Sequence, residues 1–210
     1  MKLRISLLLL ILLQFSCKDK ANEQIKSKNV EVSKVESQTI ESKAKNTNAF
    51  NFEKFKISNG QVGKIKIGMK IRDAEKFLSS LTKKEVEAYD FGFDGGGKAY
   101  IYSLKNESVI ALIPKRDSDE LLAIVAISKN LKTYNGLNPQ STVAAICAKY
   151  PDIKVNQDIM MDWEFIQDKK SNLQFIFITN EKNQIGEYIE LEIPVEPKRK
   201  NIKADWIEVI

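Results

Sequence analysis

Leu121-Leu122-Ala123-Ile124-Val125-Ala126-Ile127 is an unbroken apolar run. Arg116-Asp117-Ser118-Asp119 punctuates it on the N-terminal side. The run therefore reads as a strand covered on both faces, at the centre of a sheet. Further strands follow outward from it. Towards the N-terminus, Val109 to Ile113 precedes that turn, and Asn106-Glu107-Ser108 separates it from a strand carrying Tyr100, Tyr102 and Leu104 on one face. Asp94-Gly95-Gly96-Gly97 is turn chemistry, preceded by an aromatic-rich strand over Val86 to Phe93. Towards the C-terminus the pattern predicts strands over Met160–Phe165, Leu173–Ile178, Glu187–Ile193 and Trp206–Ile210. Glu187–Ile193 alternates, with Ile189, Leu191 and Ile193 on one side and Tyr188, Glu190 and Glu192 on the other. Asn180 to Gly186 reads as a hairpin.

Two helices interrupt the strands. Ile71, Ala74, Phe77, Leu78 and Leu81 fall at helical spacing after Gly68-Met69, with Asp73 and Glu75 near the N-terminal end. Asn138 and Pro139 read as the cap and first turn of a second helix, which carries Val143, Ile146, Cys147 and Tyr150 and stops at Pro151. The order helix, strands, helix, strands predicts an α+β fold of two tandem halves, residues 50–133 and 134–210. Each half would be a helix packed on an antiparallel sheet, the two standing apart or forming one continuous domain. Ile67-Gly68-Met69 and Leu137-Asn138-Pro139 lie about 70 residues apart, which fits an internal repeat.

Residues 1–16 begin with Lys2 and Arg4, continue as the apolar run Ile5 to Leu13, and end at Ser16, just before Cys17. This is the form of a secretory signal, since a membrane span needs about 20 apolar residues. Residues 18–49 hold no aromatic, Gly or Pro. They cannot bury enough apolar surface to order themselves, and read as a tether from Cys17 to the domain. The formal charge of +5 falls to +3 without Lys2 and Arg4, 31 basic residues standing against 28 acidic. That balance lacks the basic footprint of a nucleic-acid binder, and Lys198-Arg199-Lys200 reads as a solvated turn.

The chain has no histidine, which removes Ser-His-Asp and Cys-His catalysis and His-ligated zinc. Of the two cysteines, Cys147 lies on the second helix and reads as a small buried thiol, without a disulfide partner if Cys17 carries lipid. Asp94-Gly95-Gly96-Gly97-Lys98 lacks the Lys-Ser/Thr ending of a phosphate loop. Asp117 and Asp119 supply too few ligands for calcium. Asp162 and Glu164 share a strand side and could pair as catalytic carboxylates, although a wet strand face explains them as well. No metal or cofactor is expected.

The position of Ser16-Cys17 resembles the lipobox of bacterial lipoproteins, and Lys18-Asp19 resembles the segment after the cysteine in those of the Bacteroidetes. The resemblance implies a lipidated Cys17 and anchorage at the outer membrane, facing either the periplasm or the outside. Ile67-Gly68-Met69 followed by an amphipathic helix resembles small envelope lipoproteins of the SmpA/OmlA type. Ile124 to Ser128, Thr133, Gly136-Leu137 and the helix ending in Tyr150 resemble uncharacterised Bacteroidetes lipoproteins. Two helix-plus-sheet halves in tandem are similar to the β-lactamase-inhibitor-protein architecture. These resemblances imply a non-catalytic module that is structural or binds another envelope protein. The alternative is a carboxylate-dependent hydrolase of envelope or extracellular glycan. Tyr100, Tyr102 and Tyr188 are the candidate partner-binding residues, because tyrosine offers contact area with a water-tolerant hydroxyl. Tyr100 and Tyr102 could equally fill the core.

Overall fold

The computed structural model describes residues 50–191 and 193–210. The apolar run becomes β7 (Leu121–Ala126), and it is central: β6 (Glu107–Pro114) flanks it on one side and β11 (Trp206–Val209) on the other. With β4 (Thr82–Glu87), β5 (Lys98–Leu104), β8 (Val155–Asp158), β9 (Trp163–Asp168) and β10 (Leu173–Phe177), these form one eight-stranded antiparallel sheet. Its order is β4-β5-β6-β7-β11-β10-β9-β8. A second sheet is three two-residue strands, β1 (Ile57–Ser58), β2 (Gln61–Val62) and β3 (Ile65–Lys66).

The expected α+β fold of helix-plus-sheet halves is thus overturned, because the described chain is mostly β. The helical periodicity after Gly68 is real, since Ile71, Ala74 and Leu78 are buried. The α-helix α1, however, runs only Ile71–Glu75 and tightens to a 3-10 turn over Lys76–Leu78. Lys70 at its start gives no side-chain cap, and the Ile71 amide donates instead to the Asp119 carbonyl at 2.7 Å. The second helix, α2 (Val143–Lys149), begins later than expected. Asn138 and Ser141 tie a turn instead, Ser141 Oγ accepting from the Asn138 amide and Asn138 Oδ1 from the Gln140 amide. Thr142 is the cap that forms, its Oγ1 accepting from the Ala145 amide at 3.2 Å. Neither helix among the described residues is long or apolar enough to cross a membrane.

Both helices and the small sheet lie on one face of the large sheet. Ile57, Val62, Ile65, Ile71, Leu78, Val143 and Ile146 join Ile110, Leu112, Ile124, Phe175, Phe177, Ile207 and Val209 in the larger core. Gly68 and Met69 stitch the small sheet to β7. The Gly68 amide donates to the Leu121 carbonyl and the Leu121 amide to the Met69 carbonyl, both at 2.8 Å. Three other expectations fail, the hairpin over Asn180–Gly186 among them because no strand over Glu187–Leu191 closes it. Val86–Phe93 is strand only to Glu87, then a 3-10 turn over Ala88–Phe91. Glu187–Ile193 forms no strand across its described residues, and Ile189 is 98% exposed. Alternation alone did not provide this segment with a neighbouring strand to pair with.

Candidate functional site

The opposite face of the sheet carries a second, smaller core. Ala99, Ala111 and Ala123 keep its middle low, while Trp163 and Trp206 stand high on β9 and β11. The turn after β4 folds over this face, burying Ala88 and Phe91. Where the alanines give way to aromatics a cavity of about 280 Å³ remains. Phe91, Phe93, Trp163 and Phe165 wall it, and Glu208 and Asp158 are its titratable lining residues. The indole of Trp163 meets that of Trp206 edge-on, 5.2 Å between centroids at 84°. Phe91 meets Trp206 in the same way at 5.7 Å.

Glu208 reaches this face because of sheet register. It lies opposite Val125 on β7 and Gln174 on β10, and two residues after Trp206 on the same side of its strand. It is 6% exposed. Its Oε1 accepts from Trp206 Nε1 at 2.9 Å, and no donor reaches Oε2 among the described residues. Burial pushes its carboxyl up to about 7; the Trp206 hydrogen bond opposes this and the nearby Asp158 adds to it. Asp158 Oδ1 is engaged, accepting from the amides of Met160 and Met161 at 3.0 Å. A wider groove of about 500 Å³ lies beside Lys149, Lys154, Lys169 and Lys170, but none of its lining residues is buried.

Gly92 sets the position of Trp163. It ends the 3-10 turn in the left-handed region at φ 82°, and a Cβ there would stand 2.5 Å from Trp163 Cζ2. The substitution Gly92→Ala is expected to cost about 2 kcal/mol, from the left-handed backbone and the displaced ring. Thermal unfolding together with the tryptophan emission maximum checks this. An unchanged emission maximum would show that the ring does not depend on Gly92.

The residues singled out from sequence lie elsewhere. Cys17 is outside the described residues. Tyr102 belongs to the larger core at 3% exposure, and its hydroxyl donates to Glu75 Oε1 at 2.8 Å. Tyr100 is half-buried under Lys83, whose Nζ sits 3.7 Å from the ring centroid. Tyr188 is half-buried and donates to Glu164 Oε1 at 2.7 Å. The tyrosine hydroxyls thus go to two separate carboxyl groups, and buried Tyr102 offers no area to a partner. Asp162 and Glu164 do not pair: Asp162 is exposed in a turn at φ 54°, while Glu164 is buried on the larger-core side. Cys147 is partly buried, and burial raises its thiol.

Sequence reasoning passed over the cavity entirely. The signal present was a carboxyl inside Trp206-Ile207-Glu208-Val209-Ile210, two residues after a tryptophan, in a strand otherwise apolar on both sides. No protein-family model, no curated protein and no solved structure matches the chain.

Proposed function

We propose that this protein is a non-catalytic lipoprotein of the cell envelope, anchored through lipid on Cys17, whose β-sheet domain is a binding module. The cavity between Trp163, Phe165 and the Phe91–Phe93 turn is its binding site, for a small molecule or for one side chain of a partner protein. One observation carries this reading: aromatic walls line a cavity into which a buried residue, Glu208, turns a carboxyl with no donor on Oε2 among the described residues, the form of a specific site and not of a sealed core. Of the chain's two tryptophans, Trp163 lines the cavity and Trp206 binds the carboxyl of Glu208. A fragment screen by NMR on the full chain is expected to shift both indole N–H signals together. Hits confined to other surfaces would refute the site. Anchorage is tested separately: a fatty-acid probe should label wild type and spare Cys17→Ala, and equal labelling of both would remove the lipid.

A second reading, a carboxylate-dependent glycan hydrolase, draws on Glu208 and Asp158 lining one cavity with the Glu208 carboxyl pushed up to about 7. Asp158 Oδ1 is fixed by two backbone amides of its own turn, which ties that oxygen to structure and favours binding over chemistry. Glycan turnover by wild type that disappears in Glu208→Gln would reverse that preference.

A further inference from the structure

We infer that the cavity takes a positively charged, alkyl-substituted ammonium group, its charge facing Glu208 and its substituents against the aromatic walls. This rests on the cavity being a binding site, and names the chemistry it selects.

Glu208 projects from β11, an interior strand of the sheet, into the cavity and is 6% exposed. A carboxylate offers about four acceptor positions, and here a single donor among the described residues, the Trp206 indole, is in reach. Among the described residues Glu208 belongs to no ion pair, although eight are present. Among the described residues no Lys or Arg lines the cavity. The charged group that acts on Glu208 is Asp158, which is also acidic. The cavity is therefore a negative pocket in a chain of net positive charge, and it excludes anions.

The walls select further. Trp163, Phe91, Phe93 and Phe165 are rings, and Trp163 and Trp206 stand edge-on to each other. Ring faces carry negative potential and attract a cation placed over them, while the apolar ring area suits alkyl substituents. A bare metal ion would need about six to eight oxygens, and the side-chain oxygens of the lining are those of Glu208, Asp158 and Gln174, too few to surround it. A neutral ligand could stack on the same rings but would leave the buried carboxyl without its counter-charge. A cation also favours the ionised form of Glu208, so affinity should fall as pH drops below the value at which this buried group takes up its proton.

Tryptophan emission tests this on the full chain in an uncharged detergent. The probes are choline and its neutral isostere 3,3-dimethyl-1-butanol. At pH 8 choline is expected to give a saturable change, with at least tenfold weaker response to the alcohol. Choline affinity should drop roughly 30-fold at pH 5.5, following the ionised fraction of a group titrating near 7, while the alcohol stays level. Glu208→Gln should lose the preference for choline without a lower unfolding temperature. The pH series uses wild type alone, so it decides the matter even if that variant fails to fold. Equal binding of both probes at both pH values would overturn the cation while leaving the cavity as a site. No saturable response to either probe, in a protein whose fragment hits also avoid the indoles, would overturn both.

Discussion

Replacing Glu164 by Ala is expected to lower stability by about 4 kcal/mol and the unfolding temperature by roughly 10 °C. Glu164 lies on β9 and is 2% exposed. Its Oε2 accepts from the Ile185 amide at 2.6 Å. Its Oε1 accepts from the Gly186 amide at 2.8 Å and from the Tyr188 hydroxyl at 2.7 Å. Three donors converge on one carboxyl, and the segment they belong to has no strand to satisfy it. Truncation would strand two buried amides and a hydroxyl, each costing about 1–3 kcal/mol. Gly186 allows the close fit, since a Cβ there would stand 2.7 Å from both the Tyr188 ring and Val195 Cγ2. Tyr188→Phe should cost only about 1 kcal/mol, because the two amide contacts survive. Calorimetry and amide exchange at residues 185 and 186 check the prediction. A melt within two or three degrees of wild type, with those amides still protected, would mean another group holds the segment.

The second large effect is a pH dependence centred on Glu208. In the unfolded chain its carboxyl titrates near the ordinary 4.5; in the fold, burial pushes it up to about 7. Between these values the folded protein holds a proton that the unfolded chain has released. Stability from this group is therefore full below about pH 4.5 and is lost as pH rises through 7, by about 3 kcal/mol. Asp205 is raised by burial as well, so part of the wild-type slope at the acid end belongs to it. Glu75 and Asp73 are lowered and act in the opposite sense at low pH. The difference between wild type and Glu208→Gln isolates the one group. The two should have similar stability near pH 4.5, and the variant should be about 3 kcal/mol more stable at pH 8.5. Parallel stability curves across that range would show that Glu208 titrates normally. A site that spends stability at neutral pH to keep a carboxyl in an apolar cavity is what binding would require, since a ligand cation would restore the loss.

Much of the large sheet was legible in the residues. β7 reads as central because Leu121 to Ile127 is apolar on both sides, and β5, β6, β10 and β11 fall on apolar and aromatic runs bounded by turns. The helices were overread. Ile71, Ala74 and Leu78 do share a buried face, but a stripe of apolar side chains says which face is covered and not how many turns persist. Tyr102 was ambiguous for the same reason: side-chain alternation places it on a face, and only the structure shows that α1 and Glu75 cover that face.

The candidate site was legible only as an oddity, a glutamate in an apolar C-terminal strand. Residue pattern alone determined the apolar alternation, the exclusion of histidine chemistry and the presence of Glu208 two residues after Trp206. Tertiary structure alone decided that the last strand enters between β7 and β10, setting Glu208 beside Val125 and Gln174 and Trp206 against Trp163. The reason is physical. Alternation is local and repeats every two residues, so it is written in the chain. The choice of neighbouring strand depends on closing loops of many residues and on which apolar faces meet, which no short stretch of the chain contains.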